Sequence, residues 1–190
     1  MKKGFTLIEL VVVIVILAIL AVVALPRFMN LKPESERSVV LATAAAYEQA
    51  IDFAHTSWQI HSGPNQPLND LPGYVGDVLD LNANGYPLGI DKNNPMGQAE
   101  QIGQGDIGCV SLWLTLLTDA PSVSLPQDDP NFDADYHAYR HNESGDNSPM
   151  SRCSYVYRAG GDRADRDSAD RDSADLVIVY NSETGEVTVP

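Results

Sequence analysis

Positive charge is scarce in this chain: 12 Lys and Arg stand against 26 Asp and Glu in 190 residues, a formal charge of −14. Nucleic-acid binding requires cationic side chains that displace counterions from phosphates, so this balance argues against a nucleic-acid partner. Cysteine is nearly absent, and the pair present, Cys109 and Cys153, matches no zinc or dithiol spacing. It suits one disulfide in an exported domain or, alternatively, two buried free thiols. No G-x-S-x-G, H-E-x-x-H, phosphate-loop or dinucleotide fingerprint occurs, so no enzyme class and no cofactor has a foothold here. The length allows one domain with a hydrophobic core plus an appendage.

What is present is concentrated at the N-terminus. Phe5 to Leu25 is an apolar run interrupted only by Thr6 and Glu9, about 30 Å long as a helix, which is the thickness of a bilayer's hydrocarbon. Lys2 and Lys3 precede it, and the positive-inside bias keeps that end cytoplasmic and sends the rest of the chain outward. A secretory signal peptide would show small residues after the apolar run, whereas this one ends in Ala24-Leu25-Pro26-Arg27. A plain signal anchor gives no reason to place Glu9 in hydrocarbon, where an ionised carboxylate needs a partner.

Lys2-Lys3-Gly4 followed by Phe5-Thr6-Leu7-Ile8-Glu9-Leu10 resembles the class III leader and processing site of type IV pilins and pseudopilins. The resemblance implies that prepilin peptidase cuts between Gly4 and Phe5, that Phe5 becomes an N-methylated terminus, and that Glu9 pairs with the terminal ammonium of a neighbouring subunit. That pairing demands axially staggered copies, hence a helical filament. Loss of Lys2 and Lys3 takes the formal charge from −14 to −16. Three further phrases, Pro26-Arg27-Phe28-Met29-Asn30-Leu31, Asn84-Gly85-Tyr86-Pro87 and Cys109 to Leu117, are most similar to the mannose-sensitive haemagglutinin (MSHA) pilin subgroup.

Pro26 and Pro33 predict a kinked or unwound hinge between them, with a helix restarting at Pro33. Val40, Ala44, Tyr47, Ile51, Ala54 and Trp58 recur at spacings of four and three and predict the buried stripe of that helix, which Gly63-Pro64 ends. A turn-rich loop region follows. A short helix is expected from Cys109 to Leu117, and strands at 136–140, 154–158, 176–180 and 186–189, the last two joined as a hairpin. The expected fold is α+β: a long N-terminal helix, its first half in the membrane or filament core, packed on a C-terminal antiparallel sheet. Residues 1–4 form the leader, 5–32 the apolar helix with its hinge, and 33–190 the exported domain.

Two acidic stretches invite a metal reading. Asp80, Asn82 and Asn84, with Asp91, partly match a calcium loop, yet Asp91 replaces the usual Glu, and a polar turn is the plainer reading. The tandem repeat Ala164-Asp165-Arg166-Asp167-Ser168 and Ala169-Asp170-Arg171-Asp172-Ser173 reads as a solvated loop in which arginines and aspartates satisfy one another, with calcium recruitment by Asp165, Asp167, Asp170 and Asp172 the sharper alternative. His137 and His141 are expected on opposite faces of a strand and so not as a metal pair.

The function expected from these readings is a structural subunit of a type IV pilus. It is an inner-membrane precursor, assembled with other copies and minor pilins by an inner-membrane platform into an extracellular filament for surface attachment. The alternatives are a type II secretion pseudopilin or minor pilin and, in another class, a membrane-tethered ligand-binding domain.

Overall fold

The computed structural model describes residues 5–29, 31–90, 101–103, 105–131, 133–141, 151–158, 174 and 176–190. The chain forms two compact units, Met1–Ser38 and Val39–Pro190. The tandem Asp-Arg repeat and Asp91 lie outside the described residues.

The first unit is helical. Helix α1 spans Leu7–Met29 and α2 begins at Leu31 and runs to His61. The backbone stays helical through Pro26 and Pro33, which lie inside α1 and α2, and position 30 between the two helices lies outside the described residues. Pro33 sits in the first turn of α2, where its missing N–H has no intrahelical acceptor to lose.

In the second unit the predicted stripe is the core. Val40, Tyr47, Ile51 and Ala54 are fully buried, and Ala44 and Trp58 nearly so. They pack with α3 (Asp106–Leu116) and one face of a five-stranded sheet. Its strands are β3 (Val123–Ser124), β4 (Tyr136–Arg140), β5 (Arg152–Tyr157), β6 (Val177–Asn181) and β7 (Val187–Thr188), in spatial order β3-β4-β5-β6-β7. The expected β6–β7 hairpin is present, and β4 to β7 are antiparallel throughout. β3 departs from the expectation by pairing parallel to β4.

The stretch expected to be loop contains a small antiparallel hairpin, β1 (Leu79–Leu81) with β2 (Pro87–Ile90). All three residues of β1 are buried, so it lacks the alternation by which a half-exposed strand is recognised. α3 begins three residues before Cys109. Asp106 stands in its first turn, and its carboxylate accepts the Arg140 backbone N–H at 2.7 Å, tying the helix start to β4.

Tyrosine and tryptophan fill the space between the helices and the sheet. Tyr47 meets Trp113, Tyr155 and Tyr180 at ring-centroid distances of 5.4, 5.4 and 5.8 Å. Because Tyr155 Oη donates to the Cys109 carbonyl at 2.9 Å, the 2.9 Å contact between the two tyrosines runs from Tyr47 O–H to Tyr155 Oη. Burial pushes all three phenols upward, so they stay neutral hydrogen-bonding groups. A disulfide joins Cys109 to Cys153 with Cα atoms 5.6 Å apart, so α3 is covalently fixed to β5.

Candidate assembly segment and the polar clusters of the second unit

The N-terminal helix presents its apolar residues outward. Phe5 is 85% exposed and Leu7 80%, and every large apolar side chain from Ile8 to Val23 is exposed as well. In water such a surface is costly along its whole length, at roughly 25 cal/mol per Å², so it demands an apolar surrounding or a partner. Among the described residues no helix is long and apolar enough to cross a membrane. The described side chains of α1 end at Val23, before the apolar run of the sequence ends at Leu25.

Thr6 and Glu9 make a reciprocal cap at the start of α1. Thr6 N–H and Thr6 Oγ1 donate to Glu9 Oε2 at 2.9 and 2.8 Å, and Glu9 N–H reaches Thr6 Oγ1 at 3.4 Å. This is the capping-box arrangement, which satisfies donors that the first helical turn leaves open. Glu9 itself is exposed, on a helix that otherwise offers hydrocarbon. Thr6 is the residue missed in the sequence reading. The spacing Thr-x-x-Glu immediately before an apolar run is the signal that would have found it.

Of the residues weighed for calcium, Asp80, Asn82 and Asn84 are engaged within the protein. Asp80 is buried in β1, and its Oδ1 accepts the Asp70 backbone N–H at 3.0 Å. Asn82 Oδ1 accepts the N–H groups of Asn84 and Tyr86, both at 2.9 Å, closing the β1–β2 turn. The amides of Asn82 and Asn84 donate to the carbonyls of Ser182 and Glu183 in the β6–β7 turn, locking the two turns together. Gly85 and Gly185 have positive φ, and a Cβ at Gly85 would overlap the rings of Trp58 and His55 while one at Gly185 would overlap that of Tyr86, which stacks on His55. Among the described residues no group of three or more His, Cys, Asp or Glu is placed to hold a metal ion. Asp165, Asp167, Asp170 and Asp172 lie outside them.

Side chains four apart on a strand share a face, so the expectation that separates His137 from His141 fails on geometry. What distinguishes them is their partners. His137 is buried, with Nε2 3.0 Å from Asp129 Oδ2. His141 stands one residue beyond β4 and bonds Ser154 Oγ. Burial pushes the His137 pKa down, and Arg158 adds to that, outweighing the attraction of Asp129. Burial pushes the Asp129 carboxyl up, yet bonds from the N–H groups of Ala134 and Asp133, with His137, leave it below the usual range. His137 is therefore neutral near pH 7 and donates to an ionised Asp129.

Residues 1–25 match the prokaryotic N-terminal methylation motif. Gly4, Phe5 and Glu9 lie within that match. No curated protein and no solved structure matches the chain.

Proposed function

We propose that the chain is a structural type IV pilin: an inner-membrane precursor cut by prepilin peptidase between Gly4 and Phe5, N-methylated at Phe5, and assembled into an extracellular filament. One observation carries this reading. An N-terminal methylation motif covers the start of a capped helix whose large apolar side chains are exposed as far as Val23. The membrane supplies the apolar surrounding before assembly, and helices of other copies supply it afterwards. Burying that surface among identical helices drives polymerisation, with Glu9 receiving the Phe5 ammonium of a neighbour.

The second unit suits the filament's coat. Its core is closed by a disulfide and a buried aromatic layer, and its sequence is acidic. Support for an attachment pilus of the MSHA type comes from the phrases Asn84-Gly85-Tyr86-Pro87, which here forms the β1–β2 turn, and Cys109 to Leu117, most of which lies in α3. Electron microscopy of sheared cell-surface material, with immunogold labelling against the second unit, tests the proposal. Labelled fibres that vanish when the gene is deleted are expected. Label confined to the membrane fraction would point instead to a tethered binding domain.

A further inference from the structure

The turn that joins β1 to β2 holds the one Asn-Gly pair of the sequence, Asn84-Gly85. An asparagine followed by glycine is open to attack on its own side chain, because the glycine nitrogen, with no Cβ beside it, can close a succinimide ring on the carboxamide. Packing fixes the glycine here. Gly85 has φ +83°, and a Cβ on it would stand 2.4 Å from Trp58 Cε3 and 2.7 Å from His55 Nδ1. The fold therefore keeps the least shielding neighbour behind Asn84, which is exposed and within reach of water.

The same turn restrains both reacting groups. Gly85 N–H donates to the Asn82 carbonyl at 2.9 Å, and the Gly85 carbonyl accepts from His55 Nδ1 at 3.2 Å. Asn84 N–H donates to Asn82 Oδ1 at 2.9 Å, and Asn84 Nδ2 donates to the Glu183 carbonyl at 3.2 Å. That last bond is exposed and at the long end of its range, so it opens most easily.

We infer that Asn84 is a self-modification site, which converts to aspartate and isoaspartate when the turn opens, and that conversion loosens the joint between the β1–β2 and β6–β7 turns. Gly85 N attacks Asn84 Cγ and forms the ring C–N bond. The Gly85 amide proton ends on the side-chain nitrogen, which leaves as ammonia. Water then adds to one of the two ring carbonyls. Breaking the new bond to Cγ gives aspartate, and breaking the original bond to the Asn84 backbone carbonyl gives isoaspartate, whose main chain runs through Cγ.

Either product loses the Nδ2 donor that the Glu183 carbonyl accepts and puts a carboxylate, which can only accept, in its place. Isoaspartate also lengthens the main chain ahead of Gly85, which is packed against Trp58 and His55. Asn82 still donates to the Ser182 carbonyl, so the turns stay joined by one amide and the domain stays folded.

The full detergent-solubilised chain, incubated in mildly alkaline buffer and followed by peptide mass and isoaspartate detection, tests this. Conversion is expected at Asn84 ahead of every other asparagine, with both products present. It should run about tenfold slower in the folded chain than in denaturant, since hydrogen bonds of the turn must open first. Asn84→Gln keeps an amide but disfavours the ring, and should show no conversion at position 84. Asn84→Asp supplies a product directly, and amide hydrogen exchange over residues 183–186 should rise several-fold in it while exchange in α2 stays as in wild type. A folded chain that keeps Asn84 intact while another asparagine converts, or equal rates folded and in denaturant, overturns the site. Unchanged exchange over residues 183–186 in Asn84→Asp overturns the loosened joint.

Discussion

Glu9 Oε2 holds both donors of Thr6, its backbone N–H at 2.9 Å and its hydroxyl at 2.8 Å. The same carboxylate starts its own helix and, in the proposed assembly, receives a charge from another chain. The two roles can be separated by mutation. Thr6→Val removes only the hydroxyl side of the cap and keeps the acid, so fibres should persist in numbers within about twofold of wild type, because an exposed capping interaction is a modest term. Glu9→Ala removes the receiving carboxylate. It should be inserted and cleaved normally, yet fibres counted by electron microscopy should be rare or absent in a strain without a wild-type copy. Normal fibre numbers from Glu9→Ala would remove the pairing mechanism.

Cys109 and Cys153 close a loop with a sequence separation of 44. Chain-entropy arguments assign such a crosslink about 2–4 kcal/mol, mainly through the unfolded state. The Cys109→Ala, Cys153→Ala double variant of the detergent-solubilised chain should unfold at a correspondingly lower denaturant concentration. Wild type treated with reductant while unfolded should refold to the same reduced stability. Equal midpoints for oxidised and reduced protein would show that the bridge contributes nothing.

The Asp129–His137 pair predicts a pH dependence with a definite sign. His137 has a folded pKa below the imidazole value of 6.5, so the unfolded chain binds its proton first. Stability from this group is fully present above pH 6.5 and falls as the pH drops from there through the folded pKa, where an imidazolium would have to form in a buried site beside Arg158. Asp129, also lowered, contributes stability that is fully present above its ordinary value of 3.8 and is lost as the pH falls from there through the folded pKa, in a separate and more acidic window. Denaturation midpoints should therefore decline between pH 7 and pH 5, and His137→Asn should flatten that decline. An unchanged slope in the variant would place the effect elsewhere.

Much of the fold was legible because burial imposes a period on the sequence. Val40 to Trp58 names the inner face of α2 residue by residue, and β4, with both of its flanks turn-like, was located at its observed bounds. What could not be read depends on partners distant in sequence. β3 is two residues long and exists through its parallel pairing with Tyr136 and His137. β1 has an aspartate at its centre, and Asp80 is tolerated there because the Asp70 N–H bonds it. The helix start at Asp106 is fixed by Arg140, which lies on another element. Of the assembly segment, Gly4, Phe5 and Glu9 were recognisable by motif, whereas the capping role of Thr6 had been passed over although it rests on local spacing alone.

Intact mass of the subunit in sheared surface fibres, measured with and without reduction, tests the central claim most directly. The account predicts a chain beginning at Phe5 and carrying one added methyl group, with a gain of two hydrogens on reduction from the Cys109–Cys153 bridge. It predicts no such species in a Gly4→Val strain, whose chain should remain uncut in the membrane. Fibres built from a chain that still begins at Met1, or an N-methylated Phe5 recovered from the Gly4→Val strain, would contradict it.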